Sequence, residues 1–248
     1  MVKINLLGVQ INNESREEVL KKVAKMAIDK EKHYIVTPNP EFIVLAKEDP
    51  DFSNILNGAD LSVPDGIGLI WASRLLYGKN GLGERITGVD LMADICQMAA
   101  QKKWSVFLLG AKEGVAEKCA EKLKLKYGLR VLGTHSGWAD QSQDETNRQV
   151  IGRKVGHREC HFIFVAYGAG KQEKWIKRNL DKIPVKVAMG VGGSLDFLSG
   201  KVKRAPKLVR RFGLEWLWRL VGQPWRWRRQ LALPKFVSLA LKEKFFAD

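Results

Sequence analysis

Short apolar runs rich in β-branched residues recur along this chain with longer stretches of helical period between them, and that alternation restricts the fold more than any other feature. The runs are Ile4–Ile11, Tyr34–Thr37, Leu61–Val63, Val106–Leu109, Val131–Thr134, Phe162–Ala166 and Val185–Val191. Strands buried on both faces read as continuous apolar segments, and parallel neighbours need helical crossovers. The pattern therefore predicts an α/β fold, a mostly parallel sheet with helices on both faces. Ser15–Lys30 sets Val19, Leu20, Val23, Met26 and Ala27 on one side of a helix and lysines on the other. Glu113–Tyr127, Asp144–Val155 and Gln172–Leu180 have the same character. At 248 residues, 45% hydrophobic, the chain suits one large core plus an appendage. The division expected is an α/β core over residues 1–195 and a helical appendage over 196–248.

In open α/β sheets, ligands bind where the chain leaves the carboxyl ends of the strands. Five loops qualify: Thr37-Pro-Asn39-Pro-Glu41, Pro64-Asp65-Gly66, Gly110-Ala111, Tyr167–Glu173 and Gly190–Ser194. Each is also ordinary turn chemistry. Asp65 directly follows a short strand, where a carboxylate suits a general base and equally suits the cap of a helix starting near Ile67. Gly190-Val-Gly192-Gly193-Ser-Leu-Asp196 offers close backbone approach to a diphosphate, with Asp196 toward a ribose or base. Gly110-Ala-Lys-Glu-Gly114 has the same form, and Lys171-Gln172-Glu173 reads as the capped first turn of a helix.

The single D-x-D, Asp49-Pro-Asp51, stands at a helix start with Pro50 in a favoured first-turn position and reads as structural. Four scattered histidines lack ligand spacing, so no protein-bound metal is expected. Cys96, Cys119 and Cys160 are odd in number and form no C-x-x-C, which fits a reducing cytoplasm. The opening residues carry no signal-peptide pattern, and no run reaches the roughly 18 apolar residues of a spanning helix. Charge, however, is concentrated. From Gly200 onward thirteen Lys and Arg face three acidic residues, so ten of the fifteen net positive charges lie in the last fifth, with four of the eight tryptophans. Leu214, Leu217, Trp218 and Val221 share one helical face, away from Arg211, Glu215 and Arg219. Basic amphipathic helices with tryptophans lie on anionic membranes, and Arg interleaved with Trp also suits nucleic acid. The absence of a recognisable nucleic-acid fold in the core favours the membrane.

Read in order, Thr37-Pro-Asn-Pro-Glu41, Asp60-Leu-Ser-Val-Pro-Asp65-Gly66, Glu84-Arg85-Ile-Thr-Gly88-Val-Asp90-Leu91, Lys171-Gln172-Glu173, Gly190–Phe197 and Arg204-Ala-Pro206…Leu214-Glu-Trp216…Arg219 resemble the WecG/TagA/CpsF glycosyltransferases over nearly the whole chain. The resemblance implies a Rossmann-like core and inverting transfer of N-acetylmannosamine from a UDP-sugar donor to polyprenyl-diphosphate-linked GlcNAc, as in wall teichoic acid linkage-unit synthesis. No cofactor and no metal are implied. Relatives using a UDP-linked mannosaminuronic acid or hexose would differ in pocket residues that the motifs do not place. The same resemblance makes Asp65 the base, sets Thr37, Asn39 and Arg85 on the acceptor side, and joins Gln172 to Gly110, Gly192, Gly193 and Asp196 on the donor side. Arg219, Arg226 and Arg229 then fold over the pocket toward diphosphate, whose oxygens a planar guanidinium matches. The expected location is cytoplasmic, peripheral on the inner face of the plasma membrane; a homo-oligomer is compatible with the sequence. Gly170 stands where the family's Gly-x-Pro-x-Gln-Glu turn carries proline, and Trp218 and the Pro224-Trp225 region also depart from its pattern.

Overall fold

The first expected strand is in fact two. In the computed structural model, which describes residues 3–246, β1 (Lys3–Leu6) and β2 (Val9–Asn12) form an antiparallel hairpin. Leu7 and Gly8, both at positive φ, make the two-residue turn that strand twist favours. The apolar run Ile4–Ile11 continues through the turn because Leu7 is itself buried, so hydrophobicity alone conceals the reversal.

The remaining strands are β3 (His33–Val36), β4 (Leu61–Ser62), β5 (Ser105–Gly110), β6 (Arg130–His135), β7 (Cys160–Ala166) and β8 (Val185–Gly190). They form one parallel sheet in the order β4-β3-β8-β7-β5-β6. The helices, in chain order, are α1 (Arg16–Met26), α2 (Pro40–Glu48), α3 (Pro50–Asn57), α4 (Ile67–Tyr77), α5 (Gly88–Gln101), α6 (Val115–Tyr127), α7 (Asp144–Val155), α8 (Lys171–Asn179), α9 (Ser194–Leu198), α10 (Lys207–Arg211), α11 (Glu215–Gly222), α12 (Trp227–Gln230) and α13 (Ala232–Phe246).

Alternation along the central strands divides the core into two layers. Val106, Leu108, Phe162, Phe164, Val187 and Met189 pack with α1, α5, α6 and α9. Phe107, Leu109, Ile163, Val165 and Ala188 pack with the hairpin, α2, α3, α4, α7 and α8. Helix starts follow local chemistry. Ser15 and Glu18 form a capping box at α1, and Pro40 and Pro50 occupy first turns capped by Asn39 and Asp49. Asp49 accepts from the Phe52 amide and pairs with Lys174 at 2.5 Å, so the D-x-D is spent on packing.

The division at residue 195 falls inside α9, where Leu195 is buried in the core and the helix runs on to Leu198. Nor is the appendage wholly separate. Phe236 and Ala240 of α13 are buried in the same layer as α2 and α4, where Gly68 lets Pro40 of α2 approach α4 and the Phe236 ring packs alongside. The intervening segment is amphipathic with its polarity reversed: Glu215, Arg219, Arg226 and Arg229 are partly buried, while Leu217, Val221, Trp225 and Trp227 are exposed. Among the described residues no helix is long and apolar enough to cross a membrane.

Deleting a buried aromatic side chain costs its transfer energy and leaves a cavity. Phe236→Ala is expected to lower unfolding stability by about 3–5 kcal/mol, measured by denaturant titration. Trp225→Ala in the exposed segment should change it by less than about 0.5 kcal/mol.

Candidate active site

All six parallel strands open on one edge, and the candidate residues lie along it in sheet order. Asp65 follows β4, Thr37 and Asn39 follow β3, Gly192, Gly193 and Asp196 follow β8, and Gly168 follows β7. The edge continues over β5 to Ala111 and over β6 to Trp138. A cleft of about 1410 Å³ occupies the β8-to-β6 part, between these loops and the tail, and Asp65 lies beyond it at the β4 end.

Asp65 does not cap α4. Gly66, at φ +114, takes the cap position and α4 begins without a side-chain cap. The Asp65 carboxylate instead accepts the Gly88 N–H at 3.1 Å, the first amide of α5, while its own amide donates to the Pro38 carbonyl at 2.8 Å. A side chain at 88 would lie 3.2 Å from Thr37 Oγ1 and 3.4 Å from Asp65 Oδ2, so glycine there lets Thr37 and Asp65 converge. Burial pushes Asp65 up to about 6 against the pull of the Gly88 hydrogen bond and Arg85, and Glu215 and Asp90 add to the rise. A carboxyl in that range is largely ionised at neutral pH and basic enough to accept a proton.

Asn39 uses Oδ1 to accept the Phe42 N–H at 3.2 Å, which orients the side-chain amide and leaves its donor end for a ligand. Arg85 donates through Nη2 to the Arg210 carbonyl at 3.0 Å and so holds α10 while facing Asp65. Gln172 lies behind the cleft, buried. Its Oε1 accepts from the Gly168 and Gly192 amides at 3.1 and 2.9 Å, and its Nε2 donates to Glu173 at 2.7 Å. The residue ties two glycine loops together. Burial pushes the adjacent Glu173 up to about 7, against hydrogen bonds from Gln172 and Gly170. Gly170 has φ +78 and its N–H donates to Glu173 at 2.8 Å; proline can supply neither the angle nor the donor. Gly110 is required by its neighbour strand, since a side chain there would meet the Ala166 backbone at 2.8 Å; Ala111, one residue on, lines the cleft.

Three arginines reach the cleft from the tail. Arg219 lies over the Phe197 ring at 4.7 Å and against Gly193, where a Cβ would fall 2.6 Å from its Nη2. The Nε atoms of Arg219 and Arg226 are buried without partners. Arg229 is held by Glu41, Nε to Oε1 at 2.8 Å and Nη2 to Oε2 at 2.5 Å. Burial, then repulsion from Arg219 and Arg229, brings Arg226 down to about 10; Arg219 is lowered by burial and Arg229. Unpartnered buried donors and mutual repulsion are the signature of a site built for an anion.

Several residues in this arrangement carried no assigned role in the sequence reading. Thr87 caps α5 and donates to Asp90 at 2.6 Å, a pairing visible in the Thr-x-x-Asp spacing. Glu41 and Glu215 had no local signal, because their partners lie far along the chain. Among the described residues no three His, Cys, Asp or Glu side chains gather as metal ligands.

Such a fold and site define an α/β protein with a cationic cleft at its strand ends, the edge where open sheets bind ligands. The chain belongs to the glycosyl transferase WecG/TagA/CpsF family, whose model matches residues 4–248. It is 37% identical over 223 residues to the N-acetylglucosaminyldiphosphoundecaprenol N-acetyl-beta-D-mannosaminyltransferase of Bacillus subtilis, covering 86% of this chain and 84% of that one. The protein of the same name from Bacillus spizizenii is 38% identical over 212 residues, covering 85% and 79%. One from Staphylococcus aureus is 32% identical over 244 residues, covering 98% and 93%.

An anion seated among the arginines should stabilise the protein by ligand linkage, about 2.7 kcal/mol at a hundred times Kd. Pyrophosphate is expected to raise Tm, and Arg226→Gln should abolish that rise without lowering the ligand-free Tm, since it removes a buried, repelled charge. Thermal scans with and without pyrophosphate measure both.

Proposed function

We propose that this chain is an inverting glycosyltransferase moving N-acetylmannosamine from UDP-N-acetylmannosamine to the 4-hydroxyl of undecaprenyl-diphosphate-linked GlcNAc. The observation that carries the reading is the pairing, along one sheet edge, of a carboxylate raised to about 6 with two arginines, Arg219 and Arg226, whose buried Nε atoms have no partner among the described residues. The names of the relatives, at 32–38% identity, supply the donor sugar and the acceptor.

In the proposed reaction the acceptor hydroxyl attacks the anomeric carbon from the face opposite UDP. Asp65 takes the hydroxyl proton as the new C–O bond forms, and the bond to the UDP oxygen breaks with its electron pair on the diphosphate. Thr37 and Asn39 flank the acceptor hydroxyl, and Arg85 stands beside Asp65. Arg219 and Arg226 offset the charge on diphosphate through planar, bidentate contacts, which lets the reaction proceed without a metal. Gly192, Gly193 and Asp196 border the donor cleft. Gln172 serves the donor side indirectly, by fixing the glycine loops.

The reversed amphipathicity of residues 214–231 supports peripheral attachment to an anionic membrane, and so a place on the cytoplasmic leaflet where the lipid-linked acceptor resides. Leu208, Phe212, Leu217, Val221, Trp225 and Trp227 are exposed, the composition of an interfacial rather than a core-facing surface. A nucleic-acid reading is weaker, because Arg204, Arg219, Arg226 and Arg229 turn toward the core and the cleft instead of forming an outward basic face along which a nucleic-acid backbone could run.

The deciding experiment is product analysis with UDP-N-acetylmannosamine and a short-chain lipid-diphosphate-GlcNAc, with the disaccharide-lipid expected. Asp65→Asn should slow turnover by about 10²–10⁴-fold, and retention of a tenth of the wild-type rate would remove Asp65 from the role. Because the base must be ionised, kcat/KM should fall as pH drops through about 6 and level off above it. Trp227→Ser, outside the cleft, is expected to weaken sedimentation with anionic liposomes while sparing turnover on a water-soluble acceptor.

A further inference from the structure

The Arg204 guanidinium sits between the core and the tail and is engaged on both sides. Nη1 and Nη2 donate to the two oxygens of Asp90 at 2.5 and 2.8 Å, and Nη2 also reaches Thr87 Oγ1 at 3.2 Å. Nε donates to Glu215 Oε1 at 3.1 Å. Both carboxylates are largely screened from water, with side-chain exposures of 32% for Asp90 and 17% for Glu215.

What lies behind each partner gives the contact its meaning. Asp90 accepts from Thr87, the cap of α5, whose first amide, that of Gly88, holds the Asp65 carboxylate. Glu215 opens α11, and Arg219 follows it one helical turn later, so whatever fixes Glu215 fixes the guanidinium lying against Gly193. One side chain thus joins the turn that aims the base to the helix that carries a diphosphate arginine. Electrostatics make the joint necessary, because Glu215 and Asp90 are both near enough to Asp65 to raise it. Burial also pushes Asp90 up, and Arg204, with Thr87 and Arg210, overcomes it and holds Asp90 at about 2. Without Arg204, Glu215 would lose its ion pair and Asp90 would keep only Arg210, 4.0 Å away, so nothing would tie the start of α11 to α5 across two carboxylates that both raise Asp65.

We propose that Arg204 is a positioning residue that makes docking of the tail and alignment of the Asp65 carboxylate one event; this rests on the reading of Asp65 as the base. Lysine cannot replace it, since a point charge cannot span Asp90 and Glu215 in fixed geometry.

The test uses the full-length protein and a short-chain lipid-diphosphate acceptor, comparing Arg204→Gln, Arg219→Gln and the double variant. Arg204→Gln is expected to lower kcat about tenfold or more, and the double variant should be no slower than the slower single one, because undocking already removes Arg219 from the site. The acid limb of the pH profile in Arg204→Gln should also move from about 6 toward the ordinary carboxylate range, since burial, the main cause of the elevation, is lost. Losses that multiply, or an acid limb left in place, would overturn the proposal. Should Arg204→Gln lose its cooperative melt, Glu215→Gln, which leaves the Asp90 pairing intact, decides by the same comparison with Arg219→Gln. Full activity in Asp65→Asn would instead sink the reading of the base, a result separate from whether Arg204 and Arg219 are coupled.

Discussion

Because every strand of the main sheet runs the same way, all of its carboxyl ends face one edge, and the chemistry of the molecule is confined there. The order β4-β3-β8-β7-β5-β6 then spreads that chemistry laterally: the carboxylate at one end, the glycine loops in the middle, the cleft toward the other. Neither layer of the core can supply a charged group at that edge without burying it. Charged residues arrive instead from two directions, from the loops and from the tail that folds back over them. Two arginines of that tail are held in partial burial by carboxylates of the core, Glu41 for Arg229 and Asp90 for Arg204, while among the described residues Arg219 and Arg226 are left without one.

The sheet was readable because buried parallel strands are apolar throughout, and six of the seven expected runs coincide with strands of the sheet to within a residue or two. The exception, Ile4–Ile11, failed because its turn residue Leu7 packs inward, leaving Gly8 as the sole mark of reversal. The start of α4 near Ile67 was readable, while α2, with five of its nine residues buried, shows no clear polar face from which a period could be read.

Within the site, legibility depended on how far away the partner lay. Asp65 was visible as a carboxylate at a strand end, yet cap and base could not be separated, because the amide that holds it belongs to Gly88, 23 residues on. Gln172 looked like a ligand contact, since nothing local reveals that its amide oxygen is also taken up by Gly192, twenty residues on. The tail's amphipathic period was plain, but a period does not say which face turns inward; that was decided by acidic partners on α2 and α5.

Gly170 has a consequence of another kind. With φ at +78 and its N–H committed to the buried Glu173, this position is closed to proline. Installing one would change loop shape, donor and buried acid together. Residues 168–173 therefore behave as one unit, and a chimera joined within them would combine a backbone that needs glycine at 170 with side chains that do not supply its acceptor.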